Sequence, residues 1–251
     1  MDPLSPGRGR VHGMDELRGF LIIFVVLYHL FYDLAVLFPV GVDWMFSGWM
    51  NTLRDIFTGT LIVVSGVSCL YSRSNLRRGL KTLGWALVLT LVTLVFMPSQ
   101  LIIFGILHFF GVAMILYALL EKPLSRIPTW PGLVGSFLLF FFTRNLYYGV
   151  VGFGPLQWSV PSLFYNHWFL FPLGFRCYGI SSADYYPILP WFFLFLAGGF
   201  LGRLVRAGRF PAWFYRSHCA FLGWIGRHTL IIYLLHQPIV YGVLSLIFMA
   251  R

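Results

Sequence analysis

The sequence predicts an all-α fold, a polytopic bundle of membrane-spanning helices. Apolar residues make up 59% of the 251 residues, charged residues make up 10%, and the mean hydropathy is +0.79. The apolar residues occur in separate runs of about 20 residues, the length that an α-helix needs to cross a bilayer. A soluble domain of this size could not bury so much apolar surface, so the whole chain, 1–251, is predicted to form a single membrane domain.

Seven apolar runs, separated by charged or Pro- and Gly-rich segments, predict about seven transmembrane helices. They cover approximately residues 18–38, 54–72, 80–97, 101–120, 132–150, 187–204 and 225–248. Residues 1–16 lack the short apolar core and cleavage site of a signal peptide, so we expect a cytoplasmic tail followed by a retained span. Small residues around Gly66 indicate close helix packing. Three cysteines, an odd number, argue against a disulfide framework.

The distribution of positive charge predicts the orientation. If the N-terminus is cytoplasmic, most of the 18 Lys and Arg residues fall in cytoplasmic segments. The C-terminus would then lie outside. Residues 151–186 are predicted to form an outer-face loop or a re-entrant segment, because 153–176 is apolar and aromatic but interrupted by Pro and Gly. Its aromatic residues suit an interfacial belt or a sugar-stacking surface equally well.

The first predicted span carries polar residues that lipid would not tolerate. His29 and Asp33 are four residues apart, so they share one helix face about 6 Å from each other and could form a hydrogen-bonded pair. Arg18 precedes His29 by three helical turns, roughly 16 Å lower on the same stripe. An ionisable pair is costly to bury and is retained mainly where its charge is used, which makes this stripe a candidate functional site.

Two further histidines are predicted at a similar depth. His108 lies in the fourth span and His236 in the seventh, and both fall near the bilayer midplane. Pro238 is expected to break or kink the last helix and to open a polar cavity there. A single intramembrane histidine is also a common hydrogen-bond donor between helices, and for His108 and His236 that structural alternative stays open.

Five short blocks, in this order along the chain, resemble the bacterial branch of the heparan-α-glucosaminide N-acetyltransferase catalytic-domain family. They are DELRGF (15–20) followed by His29 and Asp33, FTGTLIVVSGVS (57–68), FGILHFFGVAMIL (104–116), DYYPILPWF (184–192) and GRHTLIIYLLHQPI (226–239). The family belongs to the transmembrane acyltransferases. The spacing of Arg18 and His29 is also similar to that of membrane acyltransferases that O-acetylate surface glycans.

The resemblance implies transfer of an acetyl or other acyl group from cytoplasmic acyl-CoA to a hydroxyl or amine on the far side of the membrane. The acceptor would be a glycan or a lipid-linked sugar. His29 would act as general base oriented by Asp33, and His108 or His236 would stabilise the oxyanion. The residues implied to bind the CoA phosphates are Arg18, Arg77, Arg78 and Arg227, and those implied to bind the acceptor are Asp55, Asp184 and Tyr185.

The resemblance also sets expectations for the surroundings of the protein. We expect a multi-pass protein of the bacterial inner membrane, in contact with lipid, with no nucleic-acid partner and no metal, and with a homodimer as the expected oligomer. One departure is notable. Lysosomal members have an Asn near the position of His29 and a proposed catalytic His in the loop that follows, whereas residues 39–51 here contain no histidine.

Three rival functions fit parts of the pattern. A proton-coupled transporter would place His29 and Asp33 beside a broken helix, but no inverted repeat is evident. A metal site could use the three midplane histidines with Asp33, although their spacing does not demand that they converge. A non-catalytic scaffold gives no account of the polar stripe.

Overall fold

The computed structural model describes residues 10–38 and 40–249, so most of the predicted tail, 1–16, lies outside the described residues. The α-helices of the described part are α1 His12–Val36, α2 Gly48–Ser68, α3 Asn75–Phe96, α4 Ile106–Leu119, α5 Glu121–Arg126, α6 Thr129–Thr143, α7 Ile188–Arg206, α8 Ala212–Tyr215, α9 Ala220–Arg227 and α10 Thr229–Met249. One antiparallel hairpin joins β1 Val150–Phe153 to β2 Leu156–Ser159. The predicted all-α class is confirmed.

Within the described ranges, five helices are long and apolar enough to cross a membrane. These are α1, α2 with the short turn that extends it to Tyr71, α3, α7 and α10. The shorter α4 is also apolar. The protein is therefore an integral membrane protein built of apolar helices, while the count of seven spans and the side on which each terminus lies stay predictions.

Several predicted spans differ from the observed helices. The run 132–150 is helical only to Thr143, because the chain then turns through Gly149, whose φ of +82° suits glycine, and enters the hairpin. The run 225–248 is interrupted at His228, where α9 ends before α10 begins. The predicted break at Pro238 is wrong, since α10 is helical from Thr229 to Met249, whereas the alternative of a kink there stays a prediction. Proline fixes a φ that is compatible with a helix and removes only one backbone donor.

The chain divides into two units, and the boundary falls inside α2. The described residues up to Leu61 and from Gly208 onward form the first unit, and Ile62–Ala207 form the second. In the first unit, α1 packs against α9 and α10. In the second, α3 packs against α4 and α6 against α7.

Glycines allow α1 and α9 to approach closely in the first unit. A Cβ on Gly19 would collide with the backbone of Leu222, and a Cβ on Gly226 would collide with the carbonyl of Asp15. α2 contributes an aromatic contact, in which the ring of Phe57 stacks on Phe24 with centroids 3.8 Å apart. The start of α1 is therefore held by backbone contact, which fixes the register of the residues that follow it.

The second unit has its core between α2, α4 and α7. Phe109 and Phe195 are fully buried there together with Ile62. Gly66 lies against the backbone of α7 at Phe195 and Gly199, which confirms the predicted close helix packing at this residue. None of Cys69, Cys177 and Cys219 forms a disulfide bond.

The segment between α6 and α7 contains the hairpin and three short 3₁₀ turns, at Leu146–Tyr148, Ser162–Asn166 and Trp168–Leu173. Several of its aromatic side chains are exposed, among them Trp158, Trp168 and Tyr178. Whether this segment, predicted over 151–186, is an outer-face loop or re-enters the membrane stays a prediction.

Candidate active site

Polar residues of α1 meet polar residues of α10 within the first unit. α1 supplies His29 and Asp33, and α10 supplies the consecutive His236 and Gln237. The imidazole rings of His29 and His236 have centroids 4.7 Å apart and planes inclined at 71°. Three of the four residues predicted to be catalytic thus lie together on one pair of helices.

Asp33 is one of the most deeply buried residues of the protein, with 0% of its surface exposed. The side-chain Nε2 of Gln237 donates to both carboxylate oxygens, 2.7 Å from Oδ1 and 2.9 Å from Oδ2. A buried carboxylate without hydrogen bonds would carry a large desolvation cost. An ionised carboxylate only accepts hydrogen bonds, so the amide donor suits the charged form and adds no opposite charge.

His29 is oriented by its own helix. Its Nδ1 lies 2.8 Å from the carbonyl oxygen of Val25, one turn earlier. Because a carbonyl only accepts, Nδ1 carries the hydrogen of the neutral imidazole and Nε2 keeps a lone pair. The expected hydrogen bond between His29 and Asp33 is absent from the described residues. The Val25 carbonyl occupies Nδ1, and the Gln237 amide holds the carboxylate.

His236 has the same tautomer for a similar reason. Its Nδ1 lies 2.6 Å from the carbonyl oxygen of Tyr233, so its Nε2 also keeps a lone pair. That Nε2 and the neighbouring Oε1 of Gln237 are buried and have no hydrogen-bond partner within the described residues. Native proteins contain few such atoms, because each costs about 1–3 kcal/mol. Each of these two atoms therefore has an unused capacity to accept a hydrogen bond from an N–H or O–H group.

The first turns of α1 carry charged residues that contact the segment before α9. Glu16 Oε1 accepts from Ser217 Oγ at 3.1 Å and from the backbone N–H groups of His218 and Cys219 at 2.7 and 3.0 Å. These donors stand at the N-terminus of α9, where a carboxylate satisfies free N–H groups and complements the helix dipole. Glu16 therefore joins the start of α1 to the start of α9.

Two of the arginines predicted to bind phosphate belong to the first unit, Arg18 on α1 and Arg227 on α9. Arg18 Nη1 lies 3.7 Å from Asp15 Oδ1, and Arg10 Nε lies 2.6 Å from Oδ2 of the same carboxylate. Arg227, at the end of α9, is exposed and follows the glycine that packs on the Asp15 carbonyl. Arg18 and Arg227 thus belong to two helices, α1 and α9, that pack against each other in the first unit.

The other two predicted phosphate-binding residues belong to the second unit. Arg77 is exposed in the first turn of α3, where its backbone N–H is capped by Ser74. Arg78 Nη1 lies 3.4 Å from the Ser68 carbonyl oxygen and 3.5 Å from Asn75 Oδ1. The four arginines therefore form two separate pairs along the chain, one in each unit.

His108 is located in the second unit and is engaged through both ring nitrogens. Its Nδ1 accepts from the Gly105 backbone N–H at 3.3 Å, and its Nε2 lies 3.0 Å from Thr90 Oγ1. The Thr90 hydroxyl donates to the Ile102 carbonyl at 2.7 Å, so it accepts from Nε2–H. The structural reading of His108, as a hydrogen-bonding link between α3 and α4, agrees with these contacts.

The residues predicted to bind the acceptor make contacts that hold the structure. Asp184 Oδ2 accepts from the Ile106 N–H at 2.8 Å and caps α4. The Tyr185 hydroxyl donates to the Phe171 carbonyl at 2.6 Å, and burial raises the pKa of this phenol, so the donor hydrogen is retained. Asp55 Oδ1 accepts from Arg54 at 2.9 and 3.2 Å. An acceptor-binding role for these three residues stays a prediction.

Two residues with important contacts were given no role by the sequence. Gln237 followed a predicted site histidine, yet nothing in its position indicated that it reaches Asp33, 204 residues away. Glu16 stood in the first sequence block, but its partners lie more than 200 residues further on. In the sequence, Gln237 and Glu16 stand out only as polar side chains beside apolar runs. That pattern does not indicate which residues they contact.

Comparison with known protein families places the described site within a family model. The family model described as "Heparan-alpha-glucosaminide N-acetyltransferase, catalytic" matches residues 10–238, a range that contains every residue of the candidate site. No curated protein and no solved structure matches the chain significantly.

Proposed function

Because this chain belongs to the heparan-alpha-glucosaminide N-acetyltransferase catalytic family, a family of transmembrane acetyltransferases, we propose that it transfers an acetyl group from acyl-CoA to an amine or hydroxyl across the membrane. The acceptor would be an extracytoplasmic glycan or lipid-linked sugar, and the membrane a bacterial inner membrane. The observation that carries the proposal is the group formed by the part-buried His29 with the buried Asp33 and His236, in which lone pairs remain available.

His29 is proposed as the general base. Its Nε2 would take a proton from the acceptor while the acceptor nitrogen or oxygen bonds to the thioester carbonyl carbon. The C–S bond then breaks, and the imidazolium returns that proton to the departing thiolate, so that CoA leaves as a thiol. The Val25 carbonyl holds His29 in the tautomer that this step needs.

Asp33 is proposed to stabilise the imidazolium. It lies one helical turn from His29, and a negative charge at this distance in an apolar environment favours the protonated ring. This role replaces the direct hydrogen bond that the sequence suggested, and it needs only proximity. The proposed stabilisation therefore acts when the proton has moved, as a transition-state effect requires.

The two buried hydrogen-bond acceptor atoms favour an amine over a hydroxyl as the group that receives the acetyl. His236 Nε2 and Gln237 Oε1 each need a hydrogen-bond donor. A primary amine brings at least two N–H groups, whereas a hydroxyl brings one, so only the amine has enough donors for both atoms. A site with buried polar groups discriminates strongly against a ligand that leaves one of them unpaired.

Acyl-CoA would enter as a substrate with phosphates bound by arginine. Arg227 is exposed at the end of α9, and Arg18 lies in α1, where it contacts Asp15. Two cationic side chains in the first unit fit a ligand that carries phosphates. Arg77 and Arg78 offer a second cationic position, in the other unit. Each pair of arginines is a candidate phosphate site, and substitution of one arginine in each pair distinguishes them.

The test compares two histidines that have the same local geometry. His228 Nδ1 lies 2.9 Å from the Trp224 carbonyl oxygen, four residues earlier, just as His29 contacts Val25. In purified protein reconstituted into nanodiscs, CoA release from acetyl-CoA would be measured with a small amine acceptor. His29→Gln should lower kcat by about 10²–10⁴-fold, the usual contribution of a general base. His228→Gln should leave kcat unchanged.

Two outcomes would overturn the proposal. One is normal turnover by His29→Gln at an unchanged melting temperature. The other is proton-linked solute flux in liposomes without CoA, which would instead support the transporter alternative.

A further inference from the structure

Gln237 connects α10 to α1 at Asp33. Its Nε2 bonds both carboxylate oxygens, at 2.7 and 2.9 Å. No other described residue donates a hydrogen bond to this carboxylate, which is completely buried. The direction in which the Asp33 carboxylate points therefore depends on Gln237.

The amide of Gln237 is an uncharged donor, and this has an electrostatic consequence. A Lys or Arg at this position would hold the carboxylate equally well but would cancel its charge. An amide leaves the negative charge of Asp33 available to His29, one turn away on α1. A hydrogen-bonded but uncompensated carboxylate is the arrangement that stabilises an imidazolium.

The other end of the same side chain supports this reading. Oε1 of Gln237 is buried and has no partner within the described ranges. The amide is thus oriented for Asp33 although its oxygen gains nothing from the surrounding protein. Because a buried unpaired carbonyl is costly, the contact to Asp33 must outweigh that cost or a ligand must supply the missing donor.

We propose that Gln237 is a positioning residue for acetyl transfer, which orients the Asp33 carboxylate beside His29 without neutralising it. The inference rests on the proposed function, because it assigns Gln237 a task only if His29 and Asp33 act as described. It goes further in naming a residue that acts through another side chain and need not touch the acetyl group.

The titratable groups around this contact are few. His29 and Tyr32 on α1 interact electrostatically with Asp33, and His236 on α10 interacts with His29. Any new pH dependence in a Gln237 variant must be compared with the wild-type profile, which already contains these groups. A ratio of the two profiles removes their contribution.

Three variants separate positioning from simple structural support. Gln237→Leu removes the donor. Gln237→Glu places a second carboxyl against Asp33, so that the contact forms only when one proton is shared between them. The double variant Asp33→Asn with Gln237→Glu exchanges donor and acceptor, so that the α1 to α10 hydrogen bond is kept but the charge moves to α10.

The measurements are kcat for CoA release across pH and the melting temperature of each purified variant. Gln237→Leu should lower kcat by about 10²-fold, the loss expected when a reacting group is misplaced. For Gln237→Glu, the ratio of its kcat to the wild-type kcat should rise as pH falls, because the shared proton restores the contact. The double variant should have a melting temperature close to that of the wild type, but its kcat should stay low.

Two results would overturn the inference. One is full recovery of kcat in the double variant, since a purely structural link would then suffice. The other is a Gln237→Glu variant whose kcat changes with pH in the same way as the wild-type kcat. If Gln237→Leu does not fold, the other two variants still decide. A failure of the proposed function is distinguishable, because His29→Gln would then retain activity, whereas an inactive His29→Gln with normal Gln237 variants would refute only the role of Gln237.

Discussion

The imidazole of His29 on α1 stands edge-on to the imidazole of His236 on α10, with ring centroids 4.7 Å apart. Each ring donates through Nδ1 to a backbone carbonyl of its own helix, Val25 for His29 and Tyr233 for His236. Both Nε2 atoms therefore keep lone pairs. The two histidines have the same tautomer and contact each other only by ring packing. They can therefore perform different tasks: His29 can accept a proton, and His236 can bind an N–H group of the substrate that receives the acetyl group.

His236→Phe tests the binding task. Phenylalanine keeps an aromatic ring against His29 and removes the unpaired Nε2. We expect the KM for a primary amine acceptor to rise roughly 10-fold, the effect of losing about one hydrogen bond, with a smaller change in kcat. Stability should not fall greatly, because a buried unpaired acceptor disappears as well. An unchanged KM would exclude contact between His236 and the acceptor.

Glu16→Ala tests the connection between α1 and α9. The variant loses three hydrogen bonds, two of them to backbone N–H groups at the start of α9. Loss of a helix-capping group costs about 0.5–2 kcal/mol, so the melting temperature in detergent should fall by several degrees. The matched control is Ser217→Ala, which loses only the 3.1 Å contact and should shift the melting temperature less. Equal effects of the two variants would contradict the capping role.

His108→Leu tests whether His108 is structural. The substitution leaves the Gly105 N–H without its acceptor and the Thr90 hydroxyl without its donor. We expect a loss of about 1–3 kcal/mol in stability, seen as a lower melting temperature, with kcat per folded molecule nearly unchanged. A fall in kcat of about 10²-fold at constant melting temperature would instead restore the catalytic role that the sequence suggested.

Arg227→Gln and Arg77→Gln compare the two cationic pairs. If acyl-CoA binds at the end of the first unit, Arg227→Gln should raise the KM for acetyl-CoA about 10-fold with little change in kcat, because a charge-assisted phosphate contact is lost. Arg77→Gln should then behave as wild type. The effect should weaken at high ionic strength, since both arginines are exposed. The reverse pattern would assign the phosphates to the second unit.

The helices could be predicted more fully than the contacts of the site. Apolar runs long enough to span a bilayer predicted α1, α3 and α7 to within several residues, because hydrocarbon surroundings require an uninterrupted apolar helix. Residues 144–150 were predicted as helix but turn at Gly149 into a hairpin. The aromatic and β-branched residues of this short segment have no periodicity that separates a helix from a strand.

The sequence by itself determined the class of the protein and the phase of its polar stripe, since His29 and Asp33 must share a helix face at a spacing of four. The tertiary structure decided the partners on other helices: Gln237 for Asp33, and Thr90 for His108. The physical reason is that a helix period relates residues on one helix, whereas a hydrogen bond between helices depends on how their side chains pack. A carboxylate, an imidazole and an amide each have several acceptable partners, and only packing selects among them.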